Sequence, residues 1–461
     1  MPDTPPRAAA LAVPAAAATS RDLVLLAMCL GVLIAQVDTS VVNLAMQPIG
    51  AALGASVTAL QWVLDAYNLV YAVLLLSGGL LADLFGRRRV FMAGATIMAA
   101  ASVGCALAPD VRVLIAARAL AGAGAALLLP ASLAIVRVVW PEVAARRRAL
   151  GVWASCNGLA FAVGPPLGGV LIDRFGWRSV FVLAVPLALG ACVLARAAVP
   201  ESADPHGRNI DIAGQALGAL ALGLLVFAAI AGPARGGVWA AALVGPALAG
   251  FLWTEHRGGA AALVPLDLFR QPAFCGSVAA TGAMTFGIYG MIFLLPLVWQ
   301  AGGLLAPSQA GLALLPCALV FFLVSQRSGH LAQRVGVRAM TAGGTATVGC
   351  GLLVLAATTA GRPLPLAEAG LALTGLGMGL NTGPLMAVAV EAVSPARAGT
   401  ASSLINVARM AGASLGVAFL GAAFASQGGG AAGLRVAMLA GGGVQLCGAA
   451  AAWATIRRTA E

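Results

Sequence analysis

Ionisable residues inside long apolar stretches are the strongest candidates for chemistry in this sequence of 461 residues. Asp38 lies within AQVDTSVVNLA, Asp65 within QWVLDAYNLV and Arg118 within ARALAGAGAA. A carboxyl group in such a stretch is poorly solvated, which favours its neutral form and lets it bind and release a proton. The small neighbours of the arginine let another helix bring a carboxylate close to it. We therefore predict proton coupling by Asp38 and Asp65, with Arg118 biasing proton release.

Each of these residues also has a structural alternative. Asp38 would then only hydrogen-bond to a neighbouring helix, Asp65 would be hydrated near the membrane surface, and Arg118 would form an ion pair that stabilises packing. Arg409, within NVARMAGASLG, is a second cation in an apolar stretch and has the same two interpretations. Neither acid has a metal-ligating partner at helical spacing, so we predict no metal site.

A polar turn that reads GGLLADLFGRRR separates two of the apolar stretches. The candidate gating residues in it are Gly79, Asp83, Gly86, Arg87 and Arg88. The glycines allow close packing and a tight turn, while the acid can pair with the arginines or face the N-terminus of another helix. Such an electrostatic latch would hold the inner side closed and break when that side opens. The alternative, that the arginines only set membrane orientation, leaves the glycines and the acid unexplained.

The same turn recurs, in a weaker form, in the second half of the sequence. The positions that match are Gly329, Leu331, Ala332, Gly336 and Arg338, with Gln333 in place of the acid. A repeated turn predicts two related halves, and halves in parallel orientation are typical of transporters with a central site. Because only the first copy keeps its acid, we expect the proton chemistry in the first half.

The composition excludes a soluble protein, because hydrophobic residues make up 61% of the sequence and charged residues only 9%. Apolar runs of about 20 residues, each long enough to cross a bilayer, recur along the whole length. The net charge of +11 comes entirely from arginine and has no interleaved aromatics, so it indicates positive cytoplasmic loops and not a nucleic-acid surface. The arginine distribution predicts an even number of spans with both termini in the cytoplasm.

The predicted fold is an all-α polytopic membrane protein with fourteen transmembrane helices. The predicted spans are 23–46, 60–82, 89–108, 112–136, 148–172, 178–198, 210–231, 237–254, 273–299, 308–326, 338–359, 365–389, 398–425 and 434–456. We divide the chain into a disordered cytoplasmic tail (1–20), a six-helix half (21–198), a linker with two extra helices (199–272) and a second six-helix half (273–461).

The fifth predicted span carries NGLAFAVGPPLGG. Its motif residues are Gly164, Pro165, Gly168 and Gly169. Proline removes a backbone donor and glycine removes side-chain bulk, so we expect a kinked helix that packs tightly against a partner. The alternative is a proline kink without a specific function.

Four segments together resemble the major facilitator superfamily, specifically its fourteen-helix drug:proton antiporter family. GGLLADLFGRRR is similar to the signature loop of the superfamily, with Leu84 where a basic residue is common. ARALAGAGAA, with Arg118, resembles the fourth-helix motif, and VGPPLGG resembles the fifth-helix antiporter motif, with Ala160 replacing its usual leading glycine. VDTSVVNLA resembles the first-helix motif, in which the acid that matches Asp38 is implicated in coupling. The match covers nearly the whole chain after the tail.

The resemblance implies multidrug efflux: export of a lipophilic drug or toxic metabolite across the cytoplasmic membrane, driven by inward proton flow and without a cofactor. The partners would be the small substrate, protons and the lipid bilayer, and no nucleic acid. Acids in the cavity would weakly favour cationic substrates. Trp62, Tyr67 and Tyr71 would line the substrate path, although the alternative for such aromatics is a belt at the membrane interface.

Other functions remain as alternatives. The same fold would serve a proton-coupled carrier of another small metabolite, which the fourteen-helix layout and VGPPLGG disfavour. A membrane-embedded enzyme would need a catalytic cluster at an interface, and the outer connections offer no paired carboxylates, histidines or metal set, so we predict that the protein is not an enzyme. A sensor would normally carry a signalling domain, and the phosphate-binding loop for direct ATP drive is missing from the sequence.

Overall fold

The chain forms fourteen apolar helices, each long enough to cross a membrane, in the part that the structure describes. The structure is a computed structural model that describes residues 18–204, 211–232, 235–258, 264–358, 364–394 and 397–456. Within these ranges the secondary structure is helical and contains no strand. The predicted all-α polytopic fold is therefore confirmed.

The first six helices are α1 (Arg21–Leu53), α2 (Val57–Phe85), α3 (Arg87–Leu107), α4 (Val111–Val139), α5 (Val143–Phe175) and α6 (Ser179–Ala198). Two further helices follow, α7 (Ile212–Ala231) and α8 (Gly237–Gly258). The last six are α9 (Pro272–Ala301), α10 (Pro307–Ser325), α11 (Val337–Ala356), α12 (Leu364–Glu391), α13 (Ala398–Ser426) and α14 (Gly430–Thr455).

Several of these helices begin at polar caps that the sequence supplies. The Ser56 hydroxyl accepts a hydrogen bond from the third residue beyond it, at the start of α2. Asp110 accepts two backbone hydrogen bonds at the start of α4, and Asp211 accepts one from Gly214 at the start of α7. Such caps satisfy backbone donors that the first turn of a helix leaves unpaired.

The tail that we predicted at residues 1–20 lies outside the described residues up to position 17. Helical structure begins at Ala18, so the last three residues of the predicted tail belong to the first helix. That helix continues as a 3₁₀ segment, Val42–Ala45, and a further helix, Met46–Leu53. The predicted spans otherwise agree with the observed ones to within a few residues at most ends.

Helix packing in the last six helices repeats that in the first six, eight spans later. In the first set α4 packs on α2 and α3, α6 packs on α1 and α3, and α1 packs on α5. In the second set α12 packs on α10 and α11, α14 packs on α9 and α11, and α9 packs on α13. The two sets, which we call the first and second halves, are thus built on one packing scheme.

The two halves meet along two seams, where α2 packs against α13 and α5 packs against α10. The two seams are equivalent, because α2 corresponds to α10 and α5 to α13 in the repeat of the packing scheme. Of the two extra helices, α7 packs against both α2 and α13, while α8 packs mainly on α7. Trp62 packs against an apolar cluster of Val226, Ile230 and Ala418 at this contact, and its ring centroid lies 6.1 Å from that of Phe227. The inserted pair therefore lies over the α2–α13 seam.

The repeated polar turn is also repeated in backbone geometry. Gly86 connects α2 to α3 with φ 103° and ψ 126°, and Gly336 precedes α11 with φ 90° and ψ 138°. Both φ values lie in the region that glycine adopts without strain. Because the helices cross alternately, these two turns lie at the same end of the bundle, which we call the glycine-turn end. The other end is called the far end.

Candidate functional site

A cavity of about 1060 Å³ lies between the two halves. Residues from α1, α2, α4 and α5 line it on one side, and residues from the equivalent helices α9, α10, α12 and α13 line it on the other. Its volume lies at the upper end of the range for small-molecule sites. The packing repeat therefore encloses a central site shared by both halves.

The cavity reaches the glycine-turn end of the bundle. Its lining includes Asp83 and Arg87 beside the first turn, Arg137 near the end of α4 and Gly399 near the start of α13. Toward the far end it is lined by Asn43 and by residues of α9 up to Ile292. A ligand of the cavity would therefore enter from the glycine-turn end in this conformation.

At the far end, apolar side chains fill the space between the halves. This closing cluster includes Met46, Ile49, Leu60, Trp299, Leu314 and Phe424, all buried. Close packing of this kind leaves no room for water or a ligand. The molecule is thus open at one end and closed at the other.

Three polar contacts join the halves at the same closed end. Gln61 on α2 donates to the carbonyl oxygens of Val417 and Ala418 on α13, at 3.0 and 2.9 Å. Gln300 on α9 donates to the Leu44 carbonyl at 3.1 Å. At the α5–α10 seam, the Asp173 carboxylate accepts a hydrogen bond from the backbone N–H of Ser308, also at 3.1 Å.

The sequence alone does not identify Gln61, Gln300 or Asp173 as residues that join the halves. Both glutamines lie within apolar spans. Because glutamine carries no charge, a hydropathy pattern does not show that such a residue is buried or functional. Asp173 lies at a helix end, where an acid is usually solvated. Only the pairing of helices across the seams identifies their partners.

Asp38 and Arg118 form a buried ion pair between α1 and α4. The Arg118 Nη1 atom lies 2.5 Å from Asp38 Oδ2, and the two residues are 1% and 4% exposed, respectively. Arg118 Nε also donates to the Val63 carbonyl at 3.1 Å, and its guanidinium lies 4.4 Å from the ring centroid of Tyr67. Of the two acids that we considered as partners for Arg118, the structure pairs it with Asp38.

The Asp38–Arg118 pair lies close to the cavity but outside its lining. A small void of about 10 Å³ is bordered by Arg118, Asn68, Thr39, Asn43 and Tyr289. The last three residues also line the central cavity. The void is about the size of one water probe. A single layer of side chains therefore separates the ion pair from the cavity.

Asp65 lies at the seam between the halves and is fully buried. Its Oδ1 atom accepts a hydrogen bond of 2.9 Å from the hydroxyl of Ser414 on α13. Its Oδ2 atom has no hydrogen-bond partner among the described residues. An unpaired oxygen in a buried carboxylate is costly, and protonation removes most of that cost. Asp65 is thus bound to Ser414 of the second half, whereas Asp38 is bound to Arg118 within the first half.

The first polar turn is tied to the segment that follows α6, within the first half. Arg87 binds Asp83 through its Nε and Nη2 atoms, at 3.0 and 2.8 Å from Oδ1. Arg88 donates to the Val199 carbonyl at 3.1 Å and lies 3.7 Å from the Glu201 carboxylate. In these contacts Asp83, Arg87 and Arg88 bind one another's turn and the segment after α6 while the cavity is open at this end.

The two glycines of that turn have different surroundings. Gly86 has the positive φ that a tight turn requires. A Cβ atom at Gly79 would meet only Pro130, at 3.5 Å, because Gly79 faces the cavity. The closest helix approach is made by its neighbour Gly78, where a Cβ atom would overlap the Ala126 carbonyl of α4.

The glycine motif of α5 packs against both halves. Cβ atoms at Gly164 and Gly168 would overlap the side chains of Ser40 and Val41 on α1. A Cβ atom at Gly169 would lie 2.5 Å from the Pro307 carbonyl oxygen, at the start of α10. The helix itself runs from Val143 to Phe175 through Pro165. The expected tight packing is present, and Gly169 connects it to the seam.

Of the three aromatic residues expected along the substrate path, only Tyr71 lines the cavity. The Trp62 ring packs against Phe227 of α7, away from the cavity. Tyr67 lies under Arg118 and donates its hydroxyl hydrogen to the Ala35 carbonyl at 3.2 Å. Sequence reasoning could not separate these faces of α2, because all three residues lie on one apolar helix with contacts on every side.

Metal-ligating side chains do not cluster in the described part of the chain. Groups of three or more His, Cys, Asp or Glu residues that could hold an ion are not found there. The central cavity has the size of a site for a small molecule.

Comparison with known proteins agrees with this architecture. The family model of the Major Facilitator Superfamily matches residues 28–417. The Multidrug resistance protein Stp of Mycobacterium tuberculosis (strain CDC 1551 / Oshkosh) is 36% identical over 402 residues, which cover 86% of this chain and 74% of that protein. The Methylenomycin A resistance protein of Streptomyces coelicolor (strain ATCC BAA-471 / A3(2) / M145) is 31% identical over 400 residues, which cover 85% and 83%.

A similar fold occurs in a solved structure. A bacterial homolog of the human lysosomal transporter Spinster, in an inward-facing and unoccupied conformation, superposes with a TM-score of 0.70. The match covers 95% of this chain and 97% of that one, at 18% sequence identity. At this identity the likeness concerns the fold alone.

Proposed function

This chain belongs to the Major Facilitator Superfamily of membrane transporters, and from that premise we propose that it exports lipophilic drugs or toxic metabolites in exchange for protons. Relatives that match most of this chain are named for multidrug resistance and for resistance to an antibiotic, which supports an export function. The cavity is large enough for a molecule of drug size. The proton gradient is the proposed energy source, with no cofactor.

We place the glycine-turn end in the cytoplasm, with both termini on that side. The arginine-rich connections lie at that end and include Arg87, Arg88 and Arg89. Cytoplasmic loops of membrane proteins are usually enriched in such positive residues. In this orientation the cavity faces the cytoplasm, from which the substrate enters. Export then requires the far end to open and the glycine-turn end to close.

The observation that carries the proton-coupling proposal is the buried Asp38–Arg118 pair beside the cavity. In this inward-open state the Asp38 carboxylate is paired with the Arg118 guanidinium. A substrate in the cavity lies one side-chain layer away, at Thr39 and Asn43. Movement of this layer during opening would separate the pair and let Asp38 take up a proton from the outside.

Asp65 is proposed as the second proton carrier. It hydrogen-bonds across the α2–α13 seam to Ser414, so opening of the far end would change its surroundings directly. Protonated Asp65 would stabilise the closed far end, because a neutral carboxyl group can be buried there at lower cost than a carboxylate.

The turn around Asp83 is proposed as the latch of the cytoplasmic side. Asp83 and Arg87 line the open end of the cavity and bind each other in this state. When that end closes, Asp83 would turn from Arg87 toward the second half. The latch would therefore be broken in the inward-open conformation and formed in the outward-open one.

Transport in liposomes tests the coupling. We expect purified protein, in vesicles with an acidic interior, to accumulate lipophilic fluorescent compounds, and an ionophore that dissipates the gradient to abolish the accumulation. Asp38→Asn and Asp65→Asn should each reduce gradient-driven uptake to the level of protein-free vesicles. Glu142→Gln, which changes an exposed acid outside the cavity, is the matched control and should transport normally.

Each variant must also be shown to be folded, because Asp38→Asn leaves Arg118 buried without its anion. Asp65→Asn keeps an oxygen acceptor for Ser414 and should retain the thermal stability of the parent. Uptake that does not depend on the gradient, or normal coupling in both folded variants, would remove these acids from the proposed role.

A further inference from the structure

Arg409 lies in the middle of the central cavity. It is on α13, about 17 Å along the helix axis from Ala398 at the start of that helix. Tyr71 on α2 and Tyr289 on α9, both near the midpoints of their helices, line the same cavity. The guanidinium is therefore deep within the membrane-spanning part and is open to the cavity.

Arg409 takes part in no ion pair or side-chain hydrogen bond between described residues. Arg118, by contrast, has its own carboxylate at 2.5 Å. A cation at the centre of a membrane protein is costly, so an arginine kept there without an acid needs a partner from elsewhere. The open side of Arg409 faces the space that a ligand would fill.

The acids that line the cavity are not close to this position in the bundle. Asp83, near the glycine-turn end of α2, binds Arg87, and Asp211, just before α7, caps the first turn of that helix. Asp38 and Asp65, which led us to expect a weak preference for cations, are both outside the cavity lining. At mid-depth the cavity therefore presents a positive charge among neutral groups.

The neighbours of Arg409 suit an amphiphilic ligand. Asn406 and Thr285 supply neutral polar groups, while Met410 and the ring of Tyr289 supply apolar surface. A guanidinium binds a carboxylate or similar anion through two parallel hydrogen bonds, and an apolar lining holds the remainder of the ligand.

We propose that Arg409 anchors the substrate and that the preferred substrates are lipophilic organic anions, with a carboxylate or another acidic group attached to an apolar or aromatic body. The inference rests on the proposed export function, because it assigns the substrate class of that same cavity. It makes Arg409 the residue that selects substrates by charge, separate from the acids that couple transport to protons.

Two dyes that share a ring system and differ in charge provide the test. Fluorescein is an anion, and rhodamine 123 is a cation with the same xanthene core. Binding to the full-length protein in lipid nanodiscs, without any gradient, is followed by fluorescence polarisation. We expect fluorescein to bind roughly tenfold more tightly than rhodamine 123, the size of effect that one charge-assisted hydrogen bond produces.

Substitutions then assign the preference to one side chain. Arg409→Gln removes the charge and should weaken fluorescein binding roughly tenfold or more, with rhodamine 123 binding unchanged or improved. Arg409→Lys keeps the charge without the two-pronged donor and should lie between the parent and the glutamine variant. Arg112→Gln, at an exposed arginine outside the cavity lining, is the matched control and should keep the preference.

The proposal is overturned by three outcomes: equal or tighter binding of rhodamine 123 by the parent, no measurable fluorescein binding, or an unaffected Arg409→Gln variant. Retained rhodamine 123 binding shows that a variant is folded. These results are independent of proton coupling, because no gradient is present. Anion-selective binding without gradient-driven transport would refute the export function alone, whereas coupled transport that ignores Arg409 would refute the substrate assignment alone.

Discussion

The hydrogen bonds from Gln61 offer the most direct way to shift the molecule between its two conformations. Gln61 is 1% exposed and donates to two carbonyl groups of the opposite half, at Val417 and Ala418. Both bonds join the two halves at the closed far end, so opening of that end should break them. Gln61→Leu removes them, keeps most of the side-chain volume and should favour opening.

The magnitude follows from the two bonds. A net contribution of about 0.5–1.5 kcal/mol for each gives about 1–3 kcal/mol in favour of the closed far end. Removal should raise the ratio of open to closed molecules by about 5- to 150-fold. A minor state that is rare in the parent protein would then become a readily measured population.

The second half contains a matched control. Gln445 on α14 also donates to two successive carbonyl groups, those of Ala283 and Met284 on α9. These contacts lie within one half and do not change when the halves rotate against each other. Gln445→Leu should therefore lower thermal stability by a comparable free energy and leave the balance of conformations unchanged.

Distance measurements between spin labels are the suitable assay. Labels at Leu107 and Leu304, two exposed far-end positions on opposite halves, would report opening. The exposed Cys350 and Cys447 are first replaced by serine. Gln61→Leu should add a population at longer distance, and Gln445→Leu should not. Identical distance distributions in the two variants, with both proteins folded, would refute the assignment of Gln61 to the closed far end.

Two further predictions concern the gating elements. Gly169→Val places side-chain atoms where a Cβ already lies 2.5 Å from the Pro307 carbonyl oxygen, so we expect at least about tenfold slower transport. Gly443→Val, on α14 and outside the cavity lining, has no described atom within 4 Å of its Cβ and should have little effect in the same vesicle assay. Asp83→Asn should slow turnover several-fold and leave substrate binding in nanodiscs within about twofold, because Asp83 lines the open end of the cavity and not its mid-depth, where the substrate is proposed to bind. Weaker binding with unchanged turnover would contradict the latch.

The sequence was sufficient to predict the fold because its signals are local. Apolar runs of membrane-spanning length, the repeated turn and the arginine distribution do not depend on which helices touch. The fourteen spans and the backbone repeat at Gly86 and Gly336 were accessible for this reason.

Contacts between helices were harder to predict from the sequence. The sequence offered Arg118 two acids at similar depth, and the choice of Asp38 over Asp65 depends on how α1, α2 and α4 are rotated about their axes. Hydropathy does not record this rotation when a helix is apolar on all sides. Because the sequence does not fix the rotation of α2, Trp62 and Tyr67 were predicted to line the substrate path together with Tyr71. For the same reason Gln61, which has no charge, was not noticed at all.

The position of α7 makes the two seams unequal toward the lipid. Its contact with α2 is polar as well as apolar, since Gln215 bonds to both Ser77 and the Val73 carbonyl. The α5–α10 seam, where Phe161 and Phe321 meet edge to face, has no third helix across it in the described part of the chain. A compound dissolved in the bilayer therefore meets α7 on one side of the molecule and the junction of the halves on the other. The two equivalent seams of the packing scheme therefore differ, since an inserted helix packs across one of them only.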